Sequence, residues 1–197
     1  MCKGVVCMSL EEVKKRKKNK RKKRLIFRTA ILGVMIAAVV FALISNFNKD
    51  KTIYEVGDQA PDFQLQQINK NNELETVRLS DLEGKGVMLN FWATYCKPCE
   101  AEMPFMQDLY GDYKDKGIEI VAVNLDANKL VVDRFIDKFD LTFPTPYDGK
   151  SEVMDLYKVG PIPSTFFINP DGEIEEIVEG ALTLERLEGY FKEIQPK

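Results

Sequence analysis

Histidine is missing from all 197 residues of this chain. Its absence excludes the commonest side-chain base of neutral solution and every metal site that counts imidazole among its ligands. Cysteine is scarce. There are four, and Cys2 and Cys7 are separated from Cys96 and Cys99 by a basic block and a charge-free apolar run. A zinc ion held by one Cys-x-x-Cys needs two further Cys or His ligands. None stands on the same side of that run, so no metal and no cofactor is expected. Positive charge in excess is lacking beyond the first 29 residues. Those residues hold 12 Lys or Arg against Glu11 and Glu12, a balance of +10, which leaves −13 for the rest of a chain whose total is −3. An acidic body argues against a nucleic-acid partner. Internal repeats are absent as well, and the length allows one domain with appendages.

What is present begins with residues 30–47, which carry no charge and are extended upstream through Leu25, Ile26 and Phe27. That stretch is long enough to span a bilayer. Ten Lys or Arg between Lys14 and Arg24 precede it, and by the positive-inside rule residues 1–29 stay in the cytoplasm while the body faces outward. The expected order is a basic segment at 1–29, a single-pass cell-membrane anchor at 30–47, a tether at 48–55 and an extracytoplasmic domain at 56–197. Cleavage after Ala42 is the competing reading, since Val40 and Ala42 are small, but the long basic stretch favours an uncleaved signal-anchor. Lys3-Gly4-Val5 can be encoded by a ribosome-binding sequence shortly before Met8, so translation is expected to start at Met8. Cys2 and Cys7 would then not be part of the protein.

The chemistry-bearing stretch is Phe91 to Pro104, Phe-Trp-Ala-Thr-Tyr-Cys-Lys-Pro-Cys-Glu-Ala-Glu-Met-Pro. Val87 to Ala93 is a near-continuous apolar run of strand length, as expected of a strand covered on both faces. A helix follows from about Cys96 to Lys114. Pro98 suits its first turn, where the missing N–H would have no partner anyway. The helix N-terminus carries partial positive charge and favours a thiolate at Cys96. Cys96 is thus the attacking sulfur and Cys99 the resolving one. An inert structural disulfide or half of a zinc site shares this spacing.

Exchange also needs an acceptor for the proton of Cys99. Glu102 lies three residues after Cys99 and shares its helix face, whereas Glu100 is rotated toward solvent. Glu102 is therefore the candidate base, against the plainer reading of a carboxylate favoured near a helix N-terminus. Lys97 places a cation inside the motif and should lower the pKa of Cys96. Trp92 and Tyr95 border the dithiol and are candidate substrate contacts.

In chain order, Lys70-Asn71-Asn72 marks a turn between Phe63–Ile68 and Leu74–Leu79, which predicts a hairpin. Ile118 to Leu125 makes a second buried strand, parallel to the first. Val131, Val132, Phe135, Ile136 and Phe139 recur at helical spacing over 128–139. Leu141 to Pro146 is expected as a short strand, and Val153, Leu156 and Tyr157 as a short helix. Strands Thr165–Ile168 and Glu173–Glu179 flank the turn Asn169-Pro170-Asp171-Gly172. Thr183 is placed to cap the last helix, with Leu182 and Leu187 as a hydrophobic staple.

Asn-Phe-Trp-Ala-Thr-Tyr-Cys-Lys-Pro-Cys resembles the active-site signature of the thioredoxin-fold family. With the anchor, the chain from about Arg21 onward resembles its ResA-like branch of membrane-bound thiol-disulfide oxidoreductases, which serves cytochrome c maturation. The resemblance implies an α/β, thioredoxin-like fold with a central mixed sheet, an N-terminal extension opening at Gly57-Asp58-Gln59-Ala60-Pro61-Asp62-Phe63, and a central helix-strand insertion. It implies a cis proline at Pro163, against Cys96, with the backbone of Ile162 free to pair with a substrate peptide. Tyr95 departs from the Trp common before the first cysteine. Asn90 stands where thioredoxins keep a buried Asp, which strengthens the choice of Glu102. The implied substrate is apocytochrome c, whose Cys-x-x-Cys-His must be reduced before haem attachment, and the implied electron donor is a CcdA-type membrane protein, with a monomer expected. Another exported protein, such as a cell-wall or spore-envelope enzyme, is an alternative substrate. A redox-inactive tethered binding module is an alternative function. A peroxidase would need Pro and Thr where Leu89 and Ala93 stand.

Overall fold

The computed structural model describes residues 22, 27–36, 39 and 54–197. The expectations for most of the basic segment, the start at Met8, cleavage at Ala42 and the tether up to residue 53 fall outside the described residues. The chain divides into two units, Met1–Thr52 and Ile53–Lys197. In the first, residues 27–36 are helical and exposed. Among the described residues no helix is long and apolar enough to cross a membrane.

The second unit opens with an antiparallel hairpin, β1 (Gln64–Gln66) and β2 (Thr76–Arg78), followed by a 3-10 turn at Leu79–Leu82. Then come β3 (Gly86–Trp92), α1 (Lys97–Lys114), β4 (Ile118–Asn124), α2 (Lys129–Lys138), α3 (Glu152–Leu156), β5 (Ser164–Ile168), β6 (Ile174–Glu179) and α4 (Leu184–Ile194). The sheet order is β4-β3-β5-β6. β3 runs parallel to β4 and antiparallel to β5, and β5 pairs antiparallel with β6. This is the mixed sheet that the thioredoxin-like expectation required.

β3 and β4 are buried along their whole length, which is why both read as unbroken apolar runs. Alternation along β3 divides the core. Met88 and Trp92 face the cluster built with α1, α2 and α4, while Val87, Leu89 and Phe91 face Phe63, Tyr157 and the hairpin side. Asn90 shares the parity of Met88 and Trp92 and so points to the α1 side. Gly86 starts β3 where the end of α4 crosses it, and a Cβ there would lie 2.3 Å from the carbonyl oxygen of Ile194. Thr183 caps α4 by accepting from the N–H of Arg186, with Leu182 and Leu187 both buried. In α2 the buried face is Val132, Phe135 and Ile136, and Val131 is exposed.

The expected strand at Leu141–Pro146 is not formed. That stretch makes only isolated bridges, Gln67 to Pro146 and Asn124 to Tyr147. Two prolines are the reason, because they cannot donate to a ladder. The carbonyls of Pro144 and Pro146 accept from the N–H groups of Ala122 and Asn124, and Asp148 N–H donates to the Asn124 carbonyl. Pro146 cannot return a bond to Ala122, and the indole N–H of Trp92 fills that place at 3.1 Å. The hairpin turn supplies further donors. The Asn69 amide reaches the carbonyls of Leu141 and Phe143, each at 2.9 Å, the Asn71 amide also reaches Leu141, and that of Asn72 reaches Thr142.

Asn69→Ala leaves the Leu141 carbonyl only the Asn71 amide and the Phe143 carbonyl only the longer bond from the Thr145 hydroxyl, and should cost roughly 1 to 3 kcal/mol. Equilibrium denaturation at a fixed redox state measures it. A change within about 0.5 kcal/mol, the range of ordinary surface substitutions, would show that the segment after α2 holds its shape without these bonds.

Candidate active site

The site forms where β3 ends and α1 begins. Cys96 is the N-cap of α1, in extended conformation, and its sulfur accepts from the backbone N–H of Cys99 at 3.2 Å. Pro98 lies in the first turn, as its missing N–H allows. Cys96 and Cys99 are joined in a disulfide. Cys99 is wholly buried and Cys96 is 7% exposed, so an incoming group reaches the sulfur of Cys96 first. That asymmetry suits Cys96 to attack and Cys99 to resolution.

Two loops frame the sulfur. The Ile162–Pro163 peptide bond is cis, as the resemblance implied, and the Ile162 carbonyl oxygen lies 3.6 Å from the Cys96 sulfur. Tyr95, next to Cys96 in the chain, is 71% exposed, which suits a substrate contact. Trp92 is not at this surface and its expected role there is corrected. It is wholly buried, packs on Phe135 with ring centroids 4.8 Å apart, and spends its N–H on Ala122.

The loop between β3 and Cys96 is held by a residue that sequence reasoning missed. Asp126 accepts from the Thr94 N–H at 2.8 Å and from the Thr94 hydroxyl at 2.7 Å, while Asn124 donates to it at 2.9 Å. Its position just past the C-terminal end of a buried parallel strand, where α/β proteins carry their working residues, was the available signal.

Glu102 is fully buried on α1. Oε1 accepts from the Asn90 amide at 2.9 Å and Oε2 from the Leu182 N–H at 3.0 Å. Burial pushes its pKa up to about 7, against the opposing pull of those two donors. Asn90 also donates to the Thr165 hydroxyl oxygen at 3.0 Å. A carboxyl on the helix that carries Cys99, its pKa raised toward neutrality by burial, can take up and release a proton. Glu100 behaves oppositely. It pairs with Lys138 at 2.6 Å and Lys97 at 2.9 Å, and these bonds hold its pKa down to about 2. Lys97 is thus committed to Glu100, with an exposed side chain, and its cation is offset beside the dithiol rather than directed at Cys96 alone.

Residues 56–177 match the AhpC/TSA family. The chain is 63% identical over 190 residues to the thiol-disulfide oxidoreductase ResA of Oceanobacillus iheyensis, covering 96% of this chain and 99% of that protein. It is 46% identical over 177 residues to ResA of Geobacillus kaustophilus, covering 90% and 99%. Among solved structures, StoA from Bacillus subtilis superposes with a TM-score of 0.58 at 34% identity, covering 66% of this chain and 96% of StoA.

The burial of Glu102 sets a pH dependence of stability. Below pH 4.5 the group is protonated in both folded and unfolded chains. Between 4.5 and about 7 the folded protein keeps a proton that the unfolded chain releases, so stability falls as pH rises through this window. The loss totals roughly 3 kcal/mol at most. Glu102→Gln should flatten this slope in denaturant titrations of the oxidised protein from pH 4 to pH 8. An unchanged slope would mean that Glu102 carries no raised pKa.

Proposed function

The chain belongs to the AhpC/TSA family and, within it, to the ResA thiol-disulfide oxidoreductases, and from that premise we propose that it reduces the disulfide of apocytochrome c outside the cytoplasm. The observation that carries the proposal is the placement of Cys96 as the more exposed sulfur of the dithiol, at a helix N-terminus beside Ile162, with Glu102 buried on the same helix. The reduced protein begins the cycle. The Cys96 thiolate attacks one sulfur of the substrate disulfide, an S–S bond forms between the two proteins, and the other substrate sulfur leaves as a thiolate. Glu102 accepts the proton of Cys99, whose sulfur then attacks Cys96. The second substrate thiolate departs and the Cys96–Cys99 disulfide closes. Two electrons from a dithiol of a CcdA-type membrane donor restore the reduced form.

The substrate peptide lies along Ile162 as an added strand. Among the described residues, neither the N–H nor the carbonyl of Ile162 is used by the protein's own backbone. Tyr95, next to Cys96 in the chain, offers its exposed ring. The apolar stretch at 30–47 anchors the body on the outer surface, and the basic residues before it hold that orientation.

Two measurements test the proposal. A reporter fused after Lys197 should be active only outside the cytoplasm and should sediment with membranes. A body released into the medium would support cleavage after Ala42 instead. For the chemistry, a Cys-x-x-Cys-His peptide in its disulfide form is the substrate. Glu102→Gln keeps size and hydrogen bonding but cannot take the proton, so the mixed disulfide should accumulate and turnover should fall about 10- to 100-fold. Cys99→Ser should trap the same species fully. Resolution in Glu102→Gln as fast as in the parent protein would remove Glu102 from the mechanism.

A further inference from the structure

Asn90 is the buried polar residue that the reaction leaves unused. It sits wholly buried in the middle of β3, with Nδ2 donating to both Glu102 Oε1 and Thr165 Oγ1. Its Oδ1, among the described residues, is a buried side-chain atom with no hydrogen-bond partner. Thr165 is equally buried, accepts from Asn90, and has no acceptor for its own hydroxyl proton among the described contacts. Two unused valences therefore flank one amide group. A hydrocarbon side chain would fill this place without either, so the amide must supply something that packing does not.

A carboxylate only accepts hydrogen bonds, whereas a carboxylic acid has one O–H that needs an acceptor. The observed arrangement suits the carboxylate, since both oxygens of Glu102 receive N–H groups. It offers the acid nothing. A half-turn of the amide brings Oδ1 to where Nδ2 stands, and there it can accept from the acid and from the Thr165 hydroxyl together. Nδ2 then takes the unpartnered place. Each orientation leaves one end of the amide without a partner, so neither is locked, which is what a site that must gain and lose a proton requires.

We propose that Asn90 is a positioning residue for the proton transfer, an amide that turns over with the charge of Glu102, donating to the carboxylate and accepting from the acid while Thr165 reverses its hydroxyl. The inference rests on Glu102 being the acceptor of the Cys99 proton. Among the described residues the pair is isolated from other charges. β3 and β5 carry no charged residue, Glu100 is drawn outward onto Lys97 and Lys138, Glu179 at the end of β6 is exposed, and the segment entering α4 contributes only the Leu182 N–H. Cys96 and Cys99 do not titrate while joined in the disulfide.

The test uses the full chain in detergent, oxidised, with 15N-labelled asparagine side chains and with Asn90→Asp to assign the Asn90 amide. Titration from about pH 5 to about pH 9 covers the range of Glu102. Both amide protons should shift together with a midpoint near 7, because turning breaks the bonds to Glu102 and Thr165 alike, and both shifts should vanish in Glu102→Gln. A fixed amide would move only the proton facing Glu102, and that result overturns the inference. In the mixed-disulfide assay, Thr165→Val should resolve about 10-fold more slowly at pH 7, and Thr165→Ser, which keeps the hydroxyl, should match the parent. Equal rates for Thr165→Val and the parent also overturn it. If Glu102→Gln resolves as fast as the parent protein, the reading of Glu102 fails and takes this inference with it. A slow Glu102→Gln beside an amide that does not turn overturns this inference alone.

Discussion

A carboxyl group buried, among the described residues, without a cation in reach is the constraint on which the site depends. Transferring such a group from water disfavours its charged form, and the protein does not relieve it with an Arg or Lys. It supplies two neutral donors instead, Asn90 from the central strand and the Leu182 N–H from the entry to α4. A paired cation would hold the pKa near or below the ordinary carboxylate range, as Lys97 and Lys138 do for Glu100. Neutral donors only temper the burial, and the result lies at about 7. Three elements must meet at one point for this: β3, α1 and the start of α4. Their mutual packing, with Gly86 admitting the end of α4 against β3, therefore serves the chemistry as much as stability.

The same economy of donors governs the region after α2. Pro144 and Pro146 deny the edge of β4 a regular partner, Trp92 replaces the bond lost at Ala122, and three asparagines satisfy the carbonyls of Leu141, Thr142 and Phe143. An edge covered in this way cannot template a further strand, which is a known means of blocking edge-to-edge association. Trp92 is drawn into that structural task. α2, packed over Trp92 through Phe135, reaches the first turn of α1 through Lys138. The insertion thus touches the rim of the dithiol at its charged end while its apolar face closes the core.

Much of this was legible in the chain, and what was not has a common cause. β3 and β4 are readable because burial on both faces leaves no alternation to confuse. The dithiol helix is readable because Pro98 and the Cys spacing fix its start. Glu102 is readable because its distance from Cys99 along one helix is a matter of local geometry. Asp126, Thr165 and Lys138 are not, since each meets its partner across elements far apart in sequence, by 32 residues for Thr94 and Asp126 and 75 for Asn90 and Thr165. Trp92 was ambiguous for a different reason. An aromatic residue ending a buried strand beside a reactive loop fits a surface or a core equally well, and only the proline gap at Ala122 decides it. The Leu141–Pro146 stretch reads as a strand by its apolar residues, and two missing N–H groups outweigh them.

The arrangement of charge around Cys96 follows from the same packing. Lys97 stands next to the attacking sulfur in sequence, but an ammonium on a long, exposed stem is neutralised by whichever carboxylate reaches it, and Glu100 does. Between exposed groups such pairs are weak and screened by salt. The N–H that Cys99 aims at the Cys96 sulfur is fixed in the backbone and shielded from solvent, so it loses nothing to screening. In the oxidised protein the Cys99 N–H, and not the Lys97 ammonium, is thus the donor held against the Cys96 sulfur. A helix N-terminus favours a thiolate through backbone geometry, which the exposed pair of Lys97 with Glu100 leaves in place.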